Sequence, residues 1–473
     1  MKFIKRLFQK VDWFDLLIYF FIFIYFLAVV SVSLHRYWQY DAFHYDLAIF
    51  DTAIWKVSKL KAPIIDHLDR GGRWIFADHF VPSIFLLSPF YWLTDKTEML
   101  MVVQSAAAGI SLIICFLIAK KLVKSKLIQV SLLIAFAGFI GLQYALISNF
   151  HPIVVAILPL MFCFWAIQEN KWKLFWPSFF IMLGFKEDMF LVGLGLGIYI
   201  FLKQKSLRKT GFFVLMVSLI YGLLVIKFII PAFLGNKFAY SPGTGKPILS
   251  WVTDFIYPLE KLRTLFYSFA TFAFLPLFYP PLLPTILITF YSRFVLVGGP
   301  ARYGLAMHYS ALVSPLMFMA SAELISILET KKKFKQYLKF IGLLIVFIVF
   351  VFHRFIFHGP LDLAMRTEFY QNTKRHKFLN DFVSKVPSRG SIMSQNHLTP
   401  HFIHRDDWVF LIREEYWQYN PKYIVIELRG GQNANNFWPM QEWAVKRMVE
   451  NLKEDQEYKL IYNQNEQYIF QKN

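Results

Sequence analysis

Apolar runs of about 20 residues recur through residues 1–359, and no other feature narrows the choice of fold as much. A helix crosses a bilayer with roughly 20 apolar residues. In lipid every backbone N–H and C=O must be paired within its own segment, so such runs fold as helices. With 56% hydrophobic and only 17% charged residues, the chain falls outside the soluble range. The expected fold class is an α-helical polytopic membrane protein with about 11 membrane segments.

The formal charge of +19 would suit nucleic acid, but its distribution does not. Residues 360–473 hold 15 Lys/Arg against 14 Asp/Glu, which leaves the excess in short clusters between the apolar runs. That is the pattern of cytoplasmic loops. No aromatic-interleaved basic groove accompanies it, so no nucleic acid is expected as partner. Cys115 and Cys163 lie inside apolar runs, which argues against a disulfide or a zinc site. Lys2, Lys5, Arg6 and Lys10 place the N-terminus in the cytoplasm, and without a small-residue cleavage site the first run reads as a retained helix.

From that start, the run at about 14–34 delivers residues 35–97 to the outer face as a first outer loop. Its acids, Asp46, Asp51, Asp66, Asp69 and Asp78, stand beside His44, His67 and His79 in a chain otherwise short of acids. HFVPSIFLLSPFYWLTDK is too short to span and is interrupted by Pro82 and Pro89, so a re-entrant or interfacial helix over this loop is expected. Farther on, the chain turns at SNFHP. Lys186, Glu187 and Asp188 of FKED then interrupt an apolar stretch. A charge at mid-membrane costs about 2.5–3.5 kcal/mol, which places FKED at a turn between two short helices, facing a water-filled crevice near the outer face. GNKFAYSPGTGKPILSWVTDFIYPLE is expected to form a second ordered outer loop. A break is expected at Pro280 and Pro281, and a last helix ends near residue 357. From residue 360 the patterning is globular. A helix over 367–384, the strand-like runs GSIMSQ, KYIVIEL, YKLIYN and QYIFQK, and an amphipathic helix over 438–452 predict a small C-terminal α/β extracytoplasmic domain.

An outer-face carboxylate just after the first helix has the position of a general base, able to take a proton from an attacking hydroxyl or amine. Asp46, Asp51 and Asp78 are the candidates, and capping or pairing with Arg70 or Arg73 explains these acids equally well. Lys186, Lys227, Arg293 and Arg302, with His308 and Tyr309, fall near outer helix ends. Positive charge there runs against the positive-inside trend. A lipid phosphate or diphosphate would use it, and so would pairing with Glu187 and Asp188. Asp78 and His79 are adjacent and on regular structure would face different ways. His401 and His404 have a ligand-like spacing but no third partner, so solvent exposure is the expectation for both. No cofactor is expected, and no divalent metal is indicated.

YDLAIFDTAIW, FADHFVPSIFLLSPFYWL, SNFHP, FKED, HYSALVSPLMF, SIMSQNHLTPHFIHRDDWVF and PKYIVIEL occur in that order over nearly the whole chain. Together they resemble a family of bacterial and archaeal predicted membrane proteins classed only as a domain of unknown function. That family is similar in turn to the GT-C glycosyltransferases, which include the protein mannosyltransferases and the aminoarabinose transferase of lipid A. The resemblance implies a polyprenyl-phosphate sugar donor and an acidic residue of the first outer loop at the reacting centre. By position Asp46 matches that acid, and Asp78 to Pro82 resembles the acidic or His-Pro segment before the second helix. The adjacent pair of acids found in several relatives is absent here, which keeps Asp51 and Asp78 as rivals.

These readings lead to a multi-pass protein of the cytoplasmic (inner) membrane that moves a sugar from a polyprenyl-phosphate carrier to a glycan, lipid or protein acceptor, by inversion. Besides that lipid-linked donor and the unknown acceptor, the expected partners are membrane lipids. Asp46 is the expected base. Lys186, Arg293 and Arg302 are expected at the phosphate, with His79, Glu187, Asp188, His308 and Tyr309 around the substrate. A transporter or lipid flippase is the alternative, since charged broken helices serve transporters too, and a catalytically dead scaffold is a third reading. No internal repeat supports the transporter.

Overall fold

The computed structural model describes residues 12–66, 70–235, 248–296 and 299–473. Basic residues 2–10, His67, Asp69 and residues 236–247 of the expected second outer loop lie outside the described residues.

Among the described residues four helices are long and apolar enough to cross a membrane: Trp13–Trp38, Glu98–Leu122, Lys205–Leu234 and Leu338–Ile356. Two bent pairs, Lys126–Gly138 with Ile140–Ser148 and Pro300–Ser310 with Val313–Glu329, raise the number to six at most. The expected count of 11 is therefore not reproduced. The reason lies in the breaks: Phe139 is extended between two helices, and Pro152 starts a new one after an extended His151. Apolar sequence is thereby divided into helices such as Pro152–Gln168, Met189–Lys203 and Leu283–Leu296, each shorter than a bilayer.

Burial ranks the long helices. Glu98–Leu122 is 67% buried over its apolar window, against 33%, 28% and 22% for the other three. It is the hub, and its small Ala107, Ala108 and Gly109 and back-bonded Ser105 and Ser111 let neighbours approach closely. The others turn apolar faces outward, as lipid contact requires. Polar residues hold the end that carries the basic clusters. Asp12 caps the first helix through the Asp15 N–H at 2.9 Å, and Asp15 meets Lys120 at 2.7 Å. Glu329 accepts from the backbone N–H groups of Lys124 and Ser125, at the start of helix Lys126–Gly138 where the helix dipole favours an anion. Lys203, Tyr199, Gln168 and Glu323 form one buried polar cluster across three helices.

Trp172–Leu183 and Met189–Lys203 are two short helices joined at FKED, as expected. The expected break near Pro280 and Pro281 is also present, between helices Leu259–Thr271 and Leu283–Tyr291, with Ala273 and Phe274 at positive φ. The segment over the first loop is a 3-10 helix, Pro82–Trp92, not an α-helix.

The C-terminal part is a small sheet domain with strand order Val409–Leu411, Ile392–Ser394, Tyr423–Glu427, Gln467–Lys472, Tyr458–Gln464. The first two pairings are parallel and the last two antiparallel. Helix Glu442–Glu454 packs Val445, Met448, Val449 and Leu452 against one face. The expected helix over 367–384 is divided in two, Thr367–Arg375 and Lys377–Ser384. The first of these docks on the end of helix Trp13–Trp38, through His35 to Thr373 at 2.7 Å and Gln39 to the Phe369 carbonyl at 2.7 Å.

Candidate functional site

Asp46 lies in a single π-helical turn, His44–Ala48, that follows the first long helix. Such turns are rare and cluster at functional sites. This one is held from the sheet domain, because the His44 N–H donates to both the backbone and side-chain oxygens of Asn396, each at 3.1 Å. The half-buried carboxyl of Asp46 therefore sits on a fixed piece of backbone. Burial lifts its pKa to about 6, and the charges of His79 and Lys186 hold it from rising further.

His79 follows a small hairpin, Ile64–Ile65 with Arg73–Trp74, and the turn Ile75–Asp78. Its Nδ1 meets Glu187 at 2.9 Å and its Nε2 lies 3.8 Å from Asp78. Burial pulls its pKa down, but Glu187 and Asp78 outweigh that and raise it to about 8, so His79 is charged at neutral pH. Glu187, buried at the FKED turn, would be raised by burial but is held below the usual range by His79 and Lys186. Buried Lys186 lies 3.6 Å from Asp188, and the two neighbouring carboxylates keep its pKa above the ordinary value against the cost of burial. Adjacent residues do converge here, because His79 is extended and not on regular structure.

The positive residues meet in a cleft lined by Lys186, Asp188, Arg293, Arg302 and Tyr309. Arg293 is buried, donates to the Ser310 hydroxyl at 2.7 Å, and leaves Nε and one terminal nitrogen without a hydrogen-bond partner. The Arg302 guanidinium lies 5.1 Å from the Tyr309 ring. Lys227 is exposed on the long helix Lys205–Leu234 and is not among the residues lining the cleft.

The residue that sequence reasoning missed is His151. It caps helix Pro152–Val155, its ring stacks on His308 with centroids 3.5 Å apart, and donor atoms of Asp46, His151 and His308 lie within 4.8 Å of one another. Its place in SNFHP, at a turn between apolar runs, was the available signal. Two imidazoles and a carboxylate are metal-ligand types. However, His151 Nδ1 accepts the Ile153 N–H at 3.3 Å, and burial keeps the ring neutral, so Nε2 carries the proton. A protonated Nε2 donates a hydrogen bond, so in this arrangement His151 can act as a donor within the trio.

Asp51 stands apart from this cluster. It is 0% exposed and accepts from Tyr91 and from His404 at 2.9 Å, with His404 stacked on Trp55. These contacts, all through one carboxylate oxygen, engage it in joining the sheet domain to helix Ile49–Ser58. They also correct the expectation for His404, which is half-buried, as is His401 between Tyr37 and Tyr40 with centroids at 4.3 and 3.9 Å. Asp66 is buried and pairs with Lys56 at 2.6 Å.

No curated protein matches the chain in sequence. Among solved structures it is similar to ArnT from Cupriavidus metallidurans bound to undecaprenyl phosphate, with a TM-score of 0.50 and 9% identity, over 96% of this chain and 97% of that one. At such identity the likeness is one of fold, here the GT-C glycosyltransferase fold. The profile of DUF2079, described as a predicted membrane protein, matches residues 36–469, and the chain belongs to that family.

Proposed function

We propose that this protein transfers a sugar from a polyprenyl-phosphate-linked donor to an acceptor at the outer face of the cytoplasmic membrane. The observation that carries the reading is the pairing of a half-buried, moderately basic carboxyl, Asp46, with a cleft lined by Lys186, Arg293 and Arg302. The shared fold with a protein captured on undecaprenyl phosphate supports a lipid phosphate as occupant of that cleft.

In this reading Asp46 takes the proton as the acceptor oxygen or nitrogen attacks the anomeric carbon. The bond from that carbon to the phosphate oxygen breaks in the same displacement, with inversion, and the polyprenyl phosphate leaves as an anion. Arg293 and Lys186 offer donors to the developing charge, and Arg302 adds a planar cation. Asp78 and Glu187 hold His79 charged beside Asp46, which keeps the base ionised at neutral pH. Asp78 is thus a positioning residue and the weaker rival as base. His151 and His308 complete a polar wall without a metal.

The test is turnover of a polyprenyl-phosphate sugar by the purified protein in nanodiscs. Release of polyprenyl phosphate that disappears in Asp46→Asn supports the reading. Full activity in both Asp46→Asn and Asp78→Asn contradicts the mechanism, and movement of lipid across the bilayer without turnover replaces it with the flippase reading.

A further inference from the structure

A second cavity, of about 470 Å³, opens between the end of the first long helix and the sheet domain. That size lies within the roughly 300–1,000 Å³ of small-molecule sites. Its floor and one wall come from the loop after strand Tyr423–Glu427, which carries Gly430, Gly431, Gln432, Asn433 and Asn436. The loop is fixed by its own amides. Gln432 donates to the carbonyls of Glu427 and Arg429, Asn436 donates to the Gln432 oxygen at 2.9 Å, and the Asn433 oxygen accepts from the Asn435 N–H. A polar surface held this way loses little entropy when a ligand arrives.

His397 lies in the same cavity, 1% exposed, and neither ring nitrogen has a hydrogen bond of normal geometry. The Asn436 backbone and the His376 ring are the polar neighbours that act on it, and burial keeps the ring neutral. A neutral imidazole offers one donor and one acceptor; the Asn436 backbone faces only one of them, and leaving the other unmet in a buried place is costly unless a ligand meets it. The formal charges of the cavity each have an opposite neighbour, Asp41 with Arg36 just outside the lining at 2.6 Å and Glu427 with Arg429 Nε at 3.2 Å, while Arg429 Nη2 keeps a donor without a partner. An anionic or cationic ligand would find no unmatched opposite charge in these pairs. The remaining lining of amides and neutral imidazole suits a ligand rich in hydroxyl groups, each of which both donates and accepts.

We propose that this cavity is a binding site for a neutral oligosaccharide. Its link to Asp46 is short: Asn396, next to His397, accepts from His44 and donates to the Asn435 carbonyl at 2.7 Å. Trp438, 42% exposed, stacks on His44 and extends the same loop toward Tyr45. The further step, that the bound sugar is the acceptor, rests on the proposed transfer.

The experiment is saturable binding of fluorescently labelled neutral hexasaccharides (maltohexaose, cellohexaose and chitohexaose) to the full chain in nanodiscs. A heparin hexasaccharide and a neutral hexapeptide serve as competitors. The expected result is binding of at least one neutral sugar, displaced by neither competitor and unchanged in Asp46→Asn. Binding should weaken tenfold or more in His397→Phe and in Gly430→Trp. The second variant guards against misfolding, because a Cβ at Gly430 meets nothing within 4 Å and its side chain would fill the cleft mouth. Failure of all three sugars to bind, displacement by the peptide or heparin, or binding insensitive to Gly430→Trp overturns the site. Sugar binding without any donor turnover sinks the transferase reading and leaves the site standing. Turnover whose acceptor KM is unmoved by Gly430→Trp leaves the transferase reading standing and overturns the step that makes the bound sugar its acceptor.

Discussion

Asp46 shows how one residue acquires a chemistry its spacing does not reveal. The sequence places it just past the first apolar run, but the lift of its pKa to about 6 comes from burial on a turn that Asn396 pins from some 350 positions away. Replacing the carboxylate by Asn removes the proton acceptor, and a loss on the order of 10²–10⁴-fold in turnover is expected. Asp78→Asn should cost less, since it acts through His79. The same two groups set a pH profile. Asp46 works ionised, so kcat/KM should rise with pH through about 6. His79 helps only while charged, so the rate should fall again above about 8. A profile flat from pH 5 to 9 would contradict both roles. The proposed mechanism routes no step through a metal, so turnover should survive chelation by EDTA, and loss restored by a divalent cation would show that reading wrong. For His151 the place in SNFHP marked a turn but not a role; only the fold brings His308 onto its ring.

At the scale of elements, the apolar runs were legible and the breaks were not. Residues 14–34 and 98–119 foretell their helices because a continuous apolar run in lipid has one way to pair its backbone. The run at 127–147 gives two helices bent by 45° at Phe139, a change carried by packing: Gly138 lies against Val349, and Gly141 against Ser310. Short strand Val409–Leu411 escaped notice because three buried apolar residues have no period to read. The FKED turn was expected from charge alone, and its partner is now visible. Gly184 ends helix Trp172–Leu183, its carbonyl accepts the Ser83 N–H at 2.8 Å, and a Cβ there would strike the Ser83 side chain. Gly184→Val should push the 3-10 helix Pro82–Trp92 away from the turn that carries Lys186 and Glu187, destabilising by about 1–3 kcal/mol. Donor KM should rise while the fold persists, which thermal denaturation in detergent and kinetics together would check.

Across the whole molecule, the apolar helical part and the sheet domain meet at the loop that follows the first long helix. The His404–Asp51 pair is one fastening between them. Burial alone would lower the His404 pKa, but Asp51 outweighs it and raises it. The pair's stabilisation is therefore complete below the ordinary imidazole value of 6.5 and is lost as pH rises through the higher folded value. Deuterium exchange in Ile49–Ser58 and Val409–Leu411 should accelerate at alkaline pH. His404→Ala, which leaves a buried carboxylate with less support, should cost roughly 3–5 kcal/mol and speed exchange at every pH; unchanged exchange would show that the pair is idle. The separate globular patterning past residue 360 was plain in the sequence, yet the engagement of that domain with the loop was not, since it depends on partners as distant as His44 with Asn396 and Asp51 with His404. These fastenings grip the chain on either side of Asp46. A lineage could not exchange its sheet domain for another and keep the loop, nor lose the domain and remain a smaller version of itself, so the two parts should be inherited, lost and remodelled together.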